Sequence, residues 1–181
     1  LAIPADVSRR EDIDLFVSGA VQAYGRIDIL VNNAGTSSAH PFEKVADEDW
    51  REDLDLKVMA AVRCTRAVLP HMRRAGGGRI VNVTAVACKT PGAASVPTSV
   101  SRAAGLALTK ALSKELAPEN ILVNAVVIGM VKSGQWEHRY AGAREQNPAL
   151  SLDQFYADMP RARNIPLGRA GEAEEAASVI L

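Results

Sequence analysis

Three short, almost wholly apolar segments alternate along this chain with longer segments in which apolar residues recur at helical spacing. The apolar segments are 27–31, 80–83 and 121–128. A strand with one solvated face alternates apolar and polar residues, whereas a continuously apolar strand is typical of a parallel sheet covered on both faces. The pattern therefore predicts an α/β fold: a doubly wound parallel sheet between two layers of helices.

Helix signals flank the first of these strands. Leu1–Ile3 are apolar and are predicted to be the tail of an earlier strand. Ser8 and Glu11 have the spacing of a capping box, so a helix should begin there, and Gly25 is placed to end it. The polar residues that follow the strand 27–31 then indicate a turn.

A long helix is predicted over residues 48–75, with Asp47 as its N-cap. Pro70 should bend or shorten its last turns, and the three glycines 76–78 indicate a flexible break. Another helix is predicted over 98–117. Its first turn carries the hydroxyl groups of Thr98, Ser99 and Ser101, and N-capping is the simplest interpretation of them.

Composition excludes several classes of function. Lys plus Arg and Asp plus Glu both number 21, so the net charge is zero, which argues against a nucleic-acid partner and against a polybasic membrane contact. No apolar run is long enough to cross a bilayer. Two isolated cysteines, Cys64 and Cys88, indicate free thiols in a reducing, cytoplasmic setting. The three histidines have no ligand spacing, so no metal site is expected: His40, His71 and His138.

The organisation suggests one doubly wound α/β domain over residues 1–181, incomplete at both ends. The chain opens with Leu1 inside an apolar run and stops within an amphipathic segment. The segment 130–170 is polar, contains three prolines, and follows a strand, which is typical of a substrate lid.

Ligands bind at the carboxyl ends of the strands in doubly wound sheets. Here those ends carry Asn32, Gly35, Gly129 and, just beyond, Ser133. The two glycines would let a ligand approach the backbone closely. Asn32 would bind backbone between neighbouring strands, and Ser133 would donate to a phosphate or an amide. Together these residues predict a binding site along one edge of the sheet.

Four motifs in this order resemble the short-chain dehydrogenase/reductase family. They are ADV at 5–7, LVNNAG at 30–35, ALTKALSKELAPENILVNAVVIG at 107–129, and G-x-x-x-S at 129–133. The resemblance implies a Rossmann fold that binds NAD or NADP. It also implies that the family's glycine-rich phosphate turn would lie before Leu1, on the order of 60 residues upstream at about 30 residues per βαβ unit. The residues it implies for the cofactor are Asp6, Val7, Asn32, Ala34, Gly35, Gly129, Val131 and Ser133.

The same resemblance indicates that the catalytic positions are substituted. Lys57 stands at the family's Asn position, and Ala85, with Thr84 beside it, stands at the Ser position. Thr98 and Arg102 stand at the Tyr and Lys positions. An aliphatic hydroxyl has a pKa of about 15.7, against about 10 for a tyrosine, so Thr98 cannot simply replace the tyrosine as an acid.

Two residues are candidates for handling the proton instead. A desolvated lysine at position 57 would titrate closer to neutrality, although a solvated helix lysine is the plainer interpretation. Tyr140 in the lid is the other candidate. Arg102 keeps a positive charge that would bind ribose hydroxyls or phosphate.

The leading hypothesis is thus an NAD(P)-dependent oxidoreductase that acts on a carbonyl or hydroxyl group of a small molecule. A catalytically silent dinucleotide-binding or oligomer-supporting protein is the alternative, and a non-redox Rossmann protein is disfavoured by LVNNAG. Family members pair two helices across a two-fold axis, so a homodimer or homotetramer is expected through 48–75 and 98–117. Small residues predicted to face outward on these helices are Ala60, Ala61, Ala104, Gly105 and Ala107.

Overall fold

A computed structural model describes all residues from 1 to 181 and divides them into two compact units, Leu1–Val127 and Ile128–Leu181. Three strands form the sheet, in the order β1 (Ile29–Asn32), β2 (Gly78–Ala85) and β3 (Ile121–Ile128). β1 and β2 are parallel, with Leu30 opposite Ile80. All three predicted strands are therefore confirmed.

The first unit contains four α-helices. These are α1 (Arg10–Tyr24), α2 (Asp47–Leu54), α3 (Ala60–Arg74) and α4 (Thr98–Glu115). A π-helical turn over Asp55–Met59 joins α2 to α3, so the predicted long helix is uninterrupted along the chain but contains a wider turn. Such turns are rare and are frequently found at functional sites.

The core lies between alternate residues of the strands and the inner faces of α1, α3 and α4. On β1, Leu30 is buried while Ile29 and Val31 are exposed. The core cluster consists of Ile13, Val17, Leu30, Cys64, Val68, Met72, Ile80, Leu116, Ile121 and Val123. Because side chains two residues apart share a face, the polar residues that follow this core along the strands also face the helices.

The start of the chain differs from the expectation. Leu1–Ile3 form no strand. Ser8 does not cap α1, which begins at Arg10. Instead the Ser8 backbone N–H and hydroxyl both donate to Oδ1 of Asp6, at 2.9 and 2.7 Å, in a turn that ends before the helix. The end of α1 is as predicted, because Gly25 adopts a left-handed conformation there, with φ of 77°.

The long helical segment begins and ends differently from the sequence prediction. Ala46 is the N-cap of α2, and its N–H donates to Oδ2 of Asp49 at 2.8 Å, so Asp47 is inside the helix. Pro70 does not shorten α3, which continues to Arg74. Of the glycines 76–78, Gly77 and Gly78 are closely packed rather than a loose break, whereas Gly76 is exposed.

The outward-facing small residues are only partly as predicted. Ala60 and Ala61 are buried within the chain, because they face the sheet rather than the surface. Ala107 is exposed, whereas Ala104 and Gly105 are half-buried.

The second unit contains three helices, α5 (Gly134–Gln146), α6 (Leu152–Ala162) and α7 (Ala173–Ile180). A parallel bridge between Val131 and Gly171 ties its beginning to the segment before α7. The predicted lid corresponds to α5, α6 and the turns that flank them. In neither unit does a helix combine the length and the apolarity that crossing a membrane requires.

Candidate active site

Lys57 lies in the π-helical turn, and its side chain points into the protein. The Lys57 and Asp53 side chains are each only 2% exposed, and they form an ion pair within the helix. The interpretation of Lys57 as a solvated surface lysine is therefore wrong. A buried charge is tolerated only when it is paired and hydrogen-bonded, so this pair has a defined set of partners.

Those partners come from the first turn of α4. Thr98 Oγ1 lies 3.4 Å from Lys57 Nζ and accepts a second hydrogen bond, of 2.8 Å, from the Ser38 backbone N–H. Ser101 Oγ donates to Asp53 Oδ2 at 2.5 Å. None of these hydroxyls caps the helix, whose N-cap is Pro97. The capping prediction is wrong because tertiary partners use the hydroxyls instead.

Burial lowers the pKa of the Lys57 ammonium group from its ordinary value. Desolvation is the largest cause, and the positive charge of Arg102 acts in the same direction. The hydrogen bond and charge of Asp53 act in the opposite direction and offset part of the effect. Lys57 is thus a cation whose proton is held less tightly than that of a surface lysine.

Arg102 lies across the carboxyl ends of β1 and β2. Its NH1 donates to the Val83 carbonyl at 2.8 Å. Its NH2 lies 2.9 Å from the position that a Cβ on Gly35 would occupy, so Gly35 leaves room for the guanidinium group. Thr84 Oγ1 donates to the Arg102 carbonyl at 3.1 Å and thereby fixes this turn of α4, while Ala85 ends β2 without a polar side chain.

A chain of amide and hydroxyl groups links the strand ends to α4. Asn32 Nδ2 donates to Asn82 Oδ1 at 2.8 Å, and Asn82 Nδ2 donates to Thr109 Oγ1 at 2.9 Å. Thr109 in turn donates to the Gly105 carbonyl at 2.8 Å. Asn32 therefore binds a side chain on the neighbouring strand, rather than the backbone as predicted.

A cavity of about 130 Å³ adjoins these groups within the first unit. Its walls are mostly apolar, and its polar lining comes from β1 and β2 and the residues after β1, from α4 and from Lys57 in the π-helical turn. Six residues predicted from the sequence line it: Val7, Asn32, Ala34, Lys57, Thr84 and Arg102. Thr98 contacts Lys57 but is not among the residues that line the cavity, and Asp6 lines a separate depression.

The donors at this cavity fit the dinucleotide that the resemblance implies. Arg102 Nε is buried and has no hydrogen-bond partner. An unpaired buried donor on a cation is costly unless a ligand oxygen satisfies it, and ribose hydroxyls and phosphates supply such oxygens. Apolar walls at the strand ends suit a flat ring. Asp6, exposed and held by Ser8, would offer a carboxylate to the adenine end.

The remaining predicted residues belong to the second unit. Gly129 and Ser133 are exposed, and Ser133 stands at the N-cap position of α5 without a side-chain cap bond. Val131 is held by its bridge to Gly171. The Tyr140 hydroxyl donates to the Leu150 carbonyl at 3.0 Å, which stabilises the turn between α5 and α6.

The sequence analysis missed Asp53 and misassigned Ser101, although the sequence contains a signal for Asp53. Asp53 and Lys57 lie on the same helical stripe as the apolar residues of α3, at spacings of three and four. The stripe continues through Ala60, Ala61, Cys64, Val68 and Met72. Two opposite charges on an apolar stripe predict a buried pair, which is the arrangement observed.

Comparisons with known proteins identify the family and the fold. A sequence model described as short chain dehydrogenase matches residues 1–143. The 3-oxoacyl-[acyl-carrier-protein] reductase FabG of Thermotoga maritima is 36% identical, over 97% of this chain and 66% of its own. The chain thus spans about two thirds of the length of such relatives.

Solved structures give the same result. A short-chain oxidoreductase from Pseudomonas aeruginosa PAO1, described as containing an atypical catalytic center and solved with NADPH bound, superimposes with a TM-score of 0.88. It is 34% identical, over 97% of this chain and 65% of that one. L-sorbose reductase from Gluconobacter frateurii, in complex with NADPH and L-sorbose, is 30% identical, and the match covers 99% of this chain and 68% of that one. Its TM-score is 0.92.

The fold is therefore Rossmann-like, with a parallel sheet and helices, as in these neighbours. The match of the family model extends over most of the chain, and it includes every motif on which the resemblance was based. This chain belongs to the short-chain dehydrogenase/reductase family, whose members bind NAD or NADP.

Proposed function

We propose that the chain belongs to an NAD(P)-dependent oxidoreductase that interconverts a carbonyl and a hydroxyl group on a small molecule, with Lys57 as the source of the proton. The observation that carries this proposal is the buried Lys57 Nζ, 3.4 Å from the hydroxyl oxygen at the family's tyrosine position. Carbonyl reductases among the relatives support the reaction class, as does the neighbour with an atypical catalytic center.

Thr98 would act as a relay and not as an acid by itself. Its oxygen accepts from Lys57 and from the Ser38 N–H, so its own hydrogen is left to donate to a substrate oxygen. As that proton leaves, Lys57 supplies another to Thr98, and no free alkoxide forms. The alkoxide would cost about 7–8 kcal/mol relative to a tyrosinate, at about 1.36 kcal/mol per pKa unit.

The bound dinucleotide would supply or accept the hydride. Arg102 would bind its ribose or phosphate oxygens through the unpaired Nε, and Asp6, Val7, Asn32, Ala34 and Gly35 would line its path. The lowered pKa of Lys57 makes transfer of its proton easier, which is the requirement for a general acid near neutral pH.

The test replaces Lys57 by methionine, which has a similar volume and no proton to give. In the intact protein we expect the rate of NAD(P)H oxidation with an acetoacetyl thioester or with L-sorbose to fall by about 10²–10⁴-fold. Thr98→Val should behave similarly, whereas Thr98→Ser should keep most of the rate. NAD(P)H affinity, measured by fluorescence titration, should stay nearly constant in all three variants.

Lys89→Met is the matched control, because Lys89 is exposed beyond the end of β2. It should leave the rate unchanged. Full activity in Lys57→Met would refute the role of Lys57.

A catalytically silent dinucleotide-binding protein is the second candidate. Ala85, at the family's serine position, has no group to polarise a substrate, and this observation favours it. NAD(P)H binding by the unmodified protein without turnover of either substrate would decide for this candidate.

The proposed setting is the cytoplasm, with a small-molecule substrate and a homodimer or homotetramer as the working form. Cys64 and Cys88 are free, which supports a reducing compartment. Met59 and Val100, on the same two helical segments that were predicted to pair, are exposed apolar side chains.

A further inference from the structure

Asp53 has no part in the proton path described above, yet it is buried as deeply as Lys57. Both of its oxygens are used. Oδ1 pairs with Lys57 Nζ, and Oδ2 accepts from Ser101 Oγ at 2.5 Å. A buried carboxylate with a partner on each oxygen has a fixed orientation, because turning it would break two charge-assisted hydrogen bonds at once.

The contacts of Ser101 join two elements. Its hydroxyl also lies 3.0 Å from the Thr98 carbonyl, one turn earlier in α4. The carboxylate on α2 is therefore tied to the same helical turn that presents Thr98 Oγ1 to Lys57. Asp53 Oδ1 contacts Lys57 Nζ, and the Ser101 hydroxyl contacts Asp53 Oδ2, so the three side chains form one connected network.

We propose that Asp53 is a positioning residue, held by Ser101, that keeps Lys57 charged and directed at Thr98. This inference rests on the proposed role of Lys57. The titratable groups around Lys57 are Asp53 on its own helix, Arg102 on α4 and the Cys64 thiol, which lines the same cavity. Only Asp53 carries a negative charge that favours the ammonium form.

The sign of the expected effect follows from these groups. Burial and Arg102 both lower the pKa of Lys57, and Asp53 raises it. Removing the carboxylate charge leaves only the two lowering effects. Lys57 should then lose its proton at a lower pH, and a reaction that needs the proton should decline at that lower pH.

The first readout does not depend on turnover. In the protein without dinucleotide, acetylation of Lys57 by acetic anhydride, followed by mass spectrometry across a pH series, gives the half-titration point of the amine. Asp53→Asn should lower that point by about one pH unit or more, the usual effect of losing an adjacent opposite charge. Asp55→Asn is the matched control, because Asp55 lies in the same helical turn but pairs with Arg63 at 2.7 Å.

The second readout is the pH profile of kcat for carbonyl reduction. In Asp53→Asn, the basic limb should move to lower pH by the same amount, with NAD(P)H affinity unchanged. An Asp53→Asn titration point equal to the wild-type value, or an equal shift in Asp55→Asn, would overturn the proposal, since a merely structural role moves neither profile. If Lys57→Met keeps full activity, the proposed function fails, whereas the acetylation series still decides the role of Asp53.

Asp53→Glu covers the case in which Asp53→Asn does not fold. It retains the charge but lengthens the side chain, so the Lys57 titration point should stay within about half a unit while kcat falls several-fold. A drop of a full unit in this variant would contradict the assignment.

Discussion

At the scale of single residues, most polar groups of the site have hydrogen-bond partners within the protein, but one buried donor has none. The side-chain amide of Asn82 accepts from Asn32 and donates to Thr109. It therefore joins β1, β2 and α4 at the point where the strands end. Arg102 Nε, by contrast, is buried without a partner. A rigid amide chain next to a buried donor without a partner is the arrangement expected of a prepared binding site.

Asn82→Ala should lower the free energy of unfolding by about 1–3 kcal/mol, because it leaves the side-chain amide of Asn32 without its acceptor and removes the donor to Thr109 Oγ1. Urea denaturation followed by circular dichroism measures this change. Asn124→Ala is the control, since Asn124 is an exposed residue on β3 and its replacement should change stability by no more than about 0.5 kcal/mol. Equal effects of the two substitutions would show that the amide chain contributes little.

At the scale of elements, the sequence predicted what depends on apolar periodicity and missed what depends on partners distant in the chain. The three strands, α1 and α4 follow from such local patterns. The π-helical turn was missed because a pattern with 3.6 residues per turn is satisfied on either side of one wider turn. The hydroxyls of α4 were misassigned because local rules favour capping, whereas Asp53 and Lys57 reach them from another helix.

The turn between α3 and β2 shows the same limit. Three consecutive glycines predict flexibility, but Gly77 has φ of 148°, and a Cβ on it would lie 2.5 Å from Asn120 Nδ2 and 2.7 Å from the Asn120 carbonyl. A Cβ on Gly78 would lie 2.5 Å from Met72 Sδ. The absence of side chains on Gly77 and Gly78 lets this turn pack against Asn120, just before β3, and against Met72 near the end of α3. No local sequence pattern predicts those contacts.

Gly77→Ala should therefore be strongly destabilising, by about 1–3 kcal/mol for the backbone conformation and more for the contact with Asn120. Thermal denaturation followed by circular dichroism would register the loss. Gly92→Ala is the comparison, because a Cβ there meets nothing within 4 Å and the backbone is not left-handed. A melting temperature for Gly77→Ala close to that of Gly92→Ala would show that the turn adapts easily.

At the scale of the whole molecule, the segments that build the site also carry the proposed interface between copies. Met59 belongs to the π-helical turn that contains Lys57, and Val100 lies between Thr98 and Ser101 on α4. Pairing of these segments between two copies would therefore stabilise the elements that carry the network of Lys57, Asp53, Thr98 and Ser101. Assembly and activity should depend on each other if the interface is the predicted one.

The last prediction tests that dependence with charges placed on the proposed interface. Met59 and Val100 are 41% and 45% exposed in the isolated chain, so Met59→Glu with Val100→Glu adds charge without disturbing the core. Between two copies, the same carboxylates would be desolvated and unpaired, at a cost of several kcal/mol. Sedimentation velocity should show a dimer or tetramer for the unmodified protein and a monomer for the double variant.

Leu15→Glu is the control, because Leu15 on α1 is 61% exposed and lies outside the proposed interface, so this variant should assemble normally. A monomer at micromolar concentration for the unmodified protein would contradict the assembly, and an unchanged oligomer in the double variant would move the interface away from these two helices.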